Sequence, residues 1–214
     1  MPRSARILPS EGMLHLIGRA NNKEKLFRHR VDFLRFKNTL HRFLHKDQCA
    51  IQHYAFMHTH FHLLAWVART ERLAALMKAV MVSYQYYYSR RYSYKGHLWH
   101  SRYRSIIISD DSQWLQCARY IELNPVYAGI CKDPKEYCWT SYRHHAYGAY
   151  DPLIYEVFTV PGESKWRRGR QNSAYQEFVR AGIDLDYRRL KREFEQKRYD
   201  VDKAKVPKIE KLKK

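Results

Sequence analysis

Residues 50–68, AIQHYAFMHTHFHLLAWVA, form two apolar, β-prone segments on either side of a short run of histidines. Side chains two residues apart on a strand point to the same face of the sheet. If residues 61–67 form a strand, His60 and His62 therefore project together. Two neighbouring imidazoles on a rigid sheet are half of a site for a divalent metal. The alternative is two ordinary polar positions on the solvent face of an amphipathic strand.

The charge balance of the chain favours a nucleic acid as partner. The 214 residues include 40 Lys and Arg against 21 Asp and Glu, which gives a net charge of +19 together with 18 tyrosines and 5 tryptophans. Cations contact phosphates and aromatic rings stack on bases, so this composition suits nucleic-acid binding. A soluble protein that is merely basic is the alternative.

The cysteines and the first residues exclude several other classes of protein. No C-x-x-C pair occurs, so neither a zinc ribbon nor a disulfide framework is indicated. The first twelve residues lack an apolar signal core, and no apolar run is long enough to cross a membrane. We therefore expect a cytoplasmic protein with no membrane partner.

Hydrophobic periodicity predicts an α+β domain with the element order β-α-β-β-α-β. This order is typical of a ferredoxin-like split fold, an antiparallel sheet with helices packed on one face. A further helix follows, capped by Asp110 or Asp111 and ended by Pro125. The elements are predicted at residues 12–19, 31–45, 50–57, 61–68, a helix from about 71 that Thr70 caps, and 106–108.

Beyond about residue 150 the sequence becomes poorer in aliphatic residues and richer in charge. We predict a first domain over residues 1–150 and a basic C-terminal extension over 151–214, partly helical and partly disordered. The last twelve residues, KAKVPKIEKLKK, are expected to be a mobile basic tail.

The helix that precedes Pro125 offers a candidate second half of the site. Tyr120 and Asn124 lie one turn apart, about 40° from each other around the helix. Both fall on the flank of its apolar stripe, where they could face the sheet. A partly buried tyrosine followed by an Asn that stops the helix explains the pair equally well.

A basic, tyrosine-rich segment follows the central strands, at residues 84–95, and a second basic segment lies at 97–109. The first tyrosines are expected to pack in the core, and the later cations to contact nucleic-acid phosphates. The residues predicted to bind the nucleic acid, which the family resemblance given next implies to be DNA, are Arg90, Arg91, Lys95, Arg102 and Arg104.

Three motifs occur in a fixed order: H-x-H-L-L after a strand that carries a methionine, then G-H-L-W-x-x-R-Y, then R-Y-I-x-L-N-P-V-x-A-G. Together they resemble the single-tyrosine HUH transposases, in particular the REP-associated tyrosine transposases and their IS200-like insertion-sequence relatives. The resemblance extends over residues 2–148. It implies a transposase that cleaves and rejoins single-stranded or hairpin DNA through a 5′-phosphotyrosine, on the nucleoid, alone or as a homodimer.

The resemblance also implies the role of each site residue. Tyr120 matches the nucleophile, His60 and His62 match the two metal-binding histidines, and Asn124 matches the polar residue that helps to hold Mg²⁺ or Mn²⁺. Two positions depart from the family pattern. His58-Thr59 stands where Pro-Asn is usual, which creates a second H-x-H, and Tyr127 replaces a common arginine. The frame F-H-L-L favours His60 and His62 as the ligands.

Two other functions remain open at this point. A domesticated, non-catalytic relative would keep the basic surface that binds hairpin DNA. A rolling-circle replication initiator or relaxase would share the HUH chemistry, but the N-P-V-x-A-G context and the small size of the chain argue against it.

Overall fold

The computed structural model of the protein describes residues 8–44, 48–155 and 172–196. Four strands form one sheet: β1 (Gly12–Arg19), β2 (Cys49–Met57), β3 (His60–Val67) and β4 (Arg104–Ile107). Their order across the sheet is β2-β3-β1-β4, and every neighbouring pair is antiparallel. The predicted α+β class and the split β-α-β topology are therefore confirmed.

Two long helices, α1 (Arg30–Phe43) and α2 (Thr70–Tyr92), cover one face of the sheet. The helical spacing of apolar residues in both segments explains why they bury one side. Aromatic rings dominate the interface, with Phe36 of α1 lying 5.0 Å from both Phe61 of β3 and Tyr84 of α2 between ring centroids. The face that the α1–α2 pair covers is thus a closed core.

The opposite face is also covered, contrary to the prediction of helices on one face only. Helix α3 (Asp111–Tyr127) packs on β2 and β3 and buries Met13, Leu64 and Trp66 beneath it. The strands carry apolar residues on both faces, so a two-layer arrangement would have left one apolar surface in water.

Helix α3 begins as predicted and ends later than predicted. The Asp110 carboxylate caps it by accepting from the backbone N–H of Gln113. Pro125 lies inside the helix, which continues to Tyr127. Proline removes one backbone donor only, and the last turn is kept because the N–H of Ala128 donates to the carbonyl of Asn124.

Thr70 does not cap α2 in the predicted way. It is the first residue of the helix, and its hydroxyl donates to the carbonyl of Pro9 while its N–H donates to that of Ser10. Thr70 thus attaches the segment before β1 to the start of α2.

Gly18 of β1 lies directly opposite Phe61 of β3, and the Phe61 ring covers the glycine. An added Cβ at position 18 would overlap the Phe61 ring, so only glycine fits here without a shift of the ring.

Smaller helices make up the rest of the helical structure in the described residues. Two 3₁₀ turns (Asn21–Lys23 and Pro134–Glu136) accompany α4 (Tyr142–Tyr147), α5 (Ser173–Arg180) and α6 (Tyr187–Lys191), and a π-helical turn (Arg192–Gln196) follows α6. Helix α5 packs against α3 and α4. The predicted division at residue 150 stays a prediction, and the predicted tail lies outside the described residues.

No helix in the described part of the chain is long and apolar enough to cross a membrane.

Candidate active site

His60 and His62 lie side by side at the start of β3, immediately after the turn at residues 58–59. Their ring centroids are 4.9 Å apart, with His62 buried and His60 partly buried. In the sheet, His62 is opposite Ala55 of β2 and Ile17 of β1. Ala55 is buried beneath α3, so the histidine pair faces α3.

His58 points elsewhere. Its Nδ1–H donates to the carbonyl of Phe27 at 3.0 Å, and its ring meets that of Phe33 edge-on at 5.9 Å. These contacts are with α1 and the segment before it, on the other side of the sheet from α3. The structure thus separates the two overlapping H-x-H motifs in space.

Tyr120 is brought to the histidines by α3. Its ring lies 5.9 Å from that of His62 and 6.4 Å from that of His15, both edge-on. Asn124, one turn later, donates from Nδ2 to the Tyr120 carbonyl at 3.0 Å. Its side chain also hydrogen-bonds to His60. All four residues predicted to act together therefore meet in one place.

Both histidines are held as neutral imidazoles. Burial, followed by the positive charge of Arg19, lowers the pKa of His60 to about 3. Burial, followed by the proximity of His60, lowers the pKa of His62 well below its ordinary value. A neutral imidazole has a lone pair to give to a metal, and the Asn124 amide adds an oxygen. Two nitrogens and one oxygen fit a divalent ion such as Mn²⁺.

His15 belongs to this site and was not predicted. Its Nε2 and the Nδ1 of His62 are 2.9 Å apart and share a hydrogen bond, and the two rings stack at 5.1 Å. A partner of this kind fixes the tautomer and the orientation of a metal-binding imidazole. The sequence shows His15 and Ile17 on one face of β1, but only the pairing of β1 with β3 brings His15 beside His62.

The end of the described chain covers the tyrosine. Tyr187 of α6 stacks on Tyr120 at 6.2 Å, and Phe194 of the following turn lies 5.6 Å away. Tyr120 is consequently 0% exposed. Sequence reasoning placed residues 187–194 in a separate extension and gave no reason to expect them here.

The five residues predicted to bind DNA are all exposed: Arg90, Arg91, Lys95, Arg102 and Arg104. Arg104 of β4 is opposite Ile17, so it lies in the same row across the sheet as His62. The Arg90 guanidinium lies 4.8 Å above the ring of exposed Tyr86. Arg91 also serves the fold, because it pairs with the buried carboxylate of Asp32 at 3.5 Å.

A groove of about 710 Å³ lies between α2 and the loop at residues 97–103. Its lining combines cationic and aromatic side chains, including Lys78, His97, Trp99 and Arg102. Such a lining can hold a phosphate and stack a base at the same time.

Comparison with known proteins agrees with this geometry. Residues 10–124 match the family "Transposase IS200 like". No curated protein matches the chain. Among solved structures, a REP-associated tyrosine transposase bound to a REP hairpin is similar with a TM-score of 0.57 and 15% identity, over 73% of this chain and 92% of that one. The structural likeness shows the fold, and the family match extends over more than half of the sequence. The chain therefore belongs to the family of IS200-like transposases.

Proposed function

We propose that the protein is a metal-dependent DNA-strand transferase that cleaves and rejoins single-stranded or hairpin DNA through a 5′-phosphotyrosine at Tyr120. The observation that carries the proposal is the meeting of Tyr120, His60, His62 and Asn124 in one site. Membership of the IS200-like transposase family supports the same chemistry.

The proposed step is a transesterification. The Tyr120 hydroxyl loses its proton and its oxygen attacks the phosphorus of a DNA phosphodiester. A P–O bond to tyrosine forms, the P–O3′ bond breaks, and the departing oxygen takes up a proton as a 3′-hydroxyl. The bond energy is kept in the phosphotyrosine, so a 3′-hydroxyl can attack it and rejoin the strand. One such tyrosine in each chain means that full strand exchange uses two chains or a returning hydroxyl.

A tyrosine with an ordinary pKa of about 10 needs help to attack at neutral pH. His60, His62 and Asn124 would hold Mg²⁺ or Mn²⁺, which supplies Lewis-acid polarisation of the phosphate when bound. Imidazole ligands favour Mn²⁺ over Mg²⁺, which prefers oxygen. His15 orients His62 through their hydrogen bond.

The DNA partner is proposed from charge and from the groove beside α2. A net charge of +19 attracts the phosphates, and Arg104 lies in line with His62 across the sheet, where it can contact a strand that reaches Tyr120. The similar solved structure is bound to a REP hairpin, which supports a hairpin as the substrate class. Such binding would place the protein on the nucleoid.

A second function is favoured by one observation. Tyr120 is fully covered by Tyr187 and Phe194, so DNA does not reach the hydroxyl in this conformation. A domesticated protein that binds hairpins without cleaving them would show the same geometry.

One experiment separates the two functions. The protein is incubated with a panel of single-stranded hairpins and either Mn²⁺ or Mg²⁺, and covalent adducts are read on a denaturing gel. The transferase gives a shifted band that Tyr120→Phe abolishes, while this variant still binds the hairpin. Binding without an adduct at any metal concentration would favour the non-catalytic function, and an adduct that persists in the Phe variant would place the nucleophile at another tyrosine.

A further inference from the structure

A second cluster of metal-ligating side chains lies against α3, separate from the histidine pair. It is formed by His53 of β2, Glu122 of α3 and His145 of α4, with one donor atom from each lying within 4.8 Å of the others. His53 and Glu122 are buried, and His145 is partly buried. The proposed strand-transfer chemistry uses none of them.

An irregularity in β2 builds one side of this cluster. The register of β2 against β3 shifts between Ile51 and His53, which leaves Gln52 as an extra residue in the strand. The carbonyl of Gln52 accepts from Nε2–H of His145 at 2.8 Å. That bond leaves Nδ1 of His145 with the lone pair. Metal-binding histidines are oriented in this way, by a backbone carbonyl that holds the second ring nitrogen.

The Glu122 carboxylate, like the orientation of His145, points to a bound cation. Its side chain is 0% exposed, and Oε1 accepts from Ser141 Oγ at 2.7 Å and from Nδ1 of His53 at 2.9 Å. Among the described residues, Oε2 has no hydrogen-bond partner. A buried polar atom without a partner costs free energy, on the order of 1–3 kcal/mol for a neutral group and more for a charged one. A cation at this position would remove that cost.

We propose that His53, Glu122 and His145 bind one Zn²⁺ ion or a transition metal of the same class. Two imidazoles and one carboxylate suit Zn²⁺ far better than Mg²⁺ or Ca²⁺, which prefer oxygen. Ligand atoms about 2.0–2.2 Å from a tetrahedral ion lie about 3.4 Å apart. The His53 and His145 rings stack at 4.1 Å with their planes 27° apart, so one imidazole turns toward the other when both bind the ion, with water as the fourth ligand.

The position of the cluster defines its role. Glu122 lies about 200° around α3 from Tyr120, so the ion and the nucleophile are on different sides of one helix. The ion would join α3 to β2 and α4 and fix the helix that carries Tyr120. This role does not depend on whether the protein cleaves DNA.

The test uses the double variant H60A/H62A, which lacks the two histidines of the candidate active site and so leaves only the second cluster to bind metal. Metal-free H60A/H62A protein is titrated with Zn²⁺ against a chromophoric chelator. We expect one bound equivalent and a higher melting temperature with zinc. Adding Glu122→Gln to this double variant should weaken zinc binding by more than roughly 10- to 100-fold, which is the loss expected when only a hydrogen bond to a metal-binding side chain is removed. Ser141→Ala is the matched control, because the Ser141 hydroxyl donates to the Glu122 carboxylate without being a metal ligand. The fall in zinc affinity in this variant should stay within that range.

A second measurement keeps the proposal testable if the double variant does not fold. Metal-free wild-type protein is titrated with Co²⁺, whose visible absorption reports tetrahedral sites, and His145→Gln should lose one equivalent of that signal. The proposal is overturned if H60A/H62A protein binds no zinc, if Glu122→Gln binds it as tightly as its parent, or if His145→Gln leaves the Co²⁺ spectrum unchanged.

Discussion

Replacing Phe194 with alanine should make Tyr120 more reactive toward DNA, although it removes a buried side chain. Phe194 is 0% exposed, and its ring centroid lies 5.6 Å from that of Tyr120. A DNA strand cannot reach Tyr120 until the segment that carries Phe194 moves away. The substitution weakens the covered conformation and leaves the uncovered one unchanged, so it shifts the population toward the form that can bind DNA.

The size of the effect follows from the burial. Truncating a fully buried phenylalanine costs about 3–5 kcal/mol. Each 1.4 kcal/mol is a factor of ten in an equilibrium constant, so the ratio of covered to uncovered protein should fall by about 100-fold or more. The rate of adduct formation follows the uncovered fraction until that form dominates. A rise of at least about tenfold is therefore expected.

The assay is the initial rate of covalent adduct formation with a hairpin in Mn²⁺, measured well below the melting temperature of each variant. Val179→Ala is the matched control. Val179 is also 0% exposed, but it packs in α5 with Leu123 and Tyr142, away from Tyr120. It should lower the melting temperature without raising the rate.

An unchanged or lower rate in Phe194→Ala, with the hairpin still bound, would refute the reasoning. It would mean that the substrate reaches Tyr120 by a route that the Phe194 segment does not block. A similar rise in Val179→Ala would show that general loosening, and not the uncovering of Tyr120, controls the rate.

Three further predictions concern the metal, acid and salt. His60→Ala and His62→Ala should each abolish metal-dependent adduct formation while His58→Ala keeps most of it, because His58 is hydrogen-bonded to the Phe27 carbonyl. A Mn²⁺ titration of each variant checks this, and loss of activity in His58→Ala and His60→Ala with His62→Ala still active would shift the site by two residues. Burial lowers the pKa of His145 to about 3 from its ordinary 6.5, so metal-free protein should lose stability as pH falls below 6.5, by up to about 1.4 kcal/mol per pH unit for this residue. Denaturant titrations at pH 7 and 5.5 measure the loss in unfolding free energy. If His145→Gln loses as much stability between these two pH values as the wild type, His145 is not the residue responsible. Arg90→Ala should reduce the log–log salt slope of single-strand binding by about 0.7, whereas exposed Arg72→Ala at the other end of α2 should not; equal slopes would remove Arg90 from the interface.

Most of the sheet could be read from the sequence because its strands alternate or run apolar between clear turn signals. The pairing of His60 with His62 needed only the two-residue period of a strand, and the spacing of Tyr120 and Asn124 only the turn of a helix. These local rules say nothing about which distant segments meet. His15 is 47 residues from its partner His62 and gains its place only through the register of β1 with β3.

The same limit explains the other corrections. Whether α3 lies on the free face of the sheet depends on the total apolar surface to be buried, which periodicity within one helix does not report. The shift in β2 at Gln52 reverses which residues face α3, and no residue type at that position indicates it. The cover over Tyr120 comes from residues 187–194, whose own sequence looks like a solvated, charged segment.

The contact between Gly18 and Phe61 makes position 18 a site at which a mutation can make the protein temperature-sensitive. Phe61 stands between His60 and His62 in the chain, so a displaced Phe61 ring takes with it the strand that carries both histidines. A gene variant that adds one methyl group at position 18 would alter no residue of the site, and yet its carriers should lose transposition as the temperature rises. A conditional allele obtained at Gly18 would therefore let an experimenter switch the protein off by warming the culture.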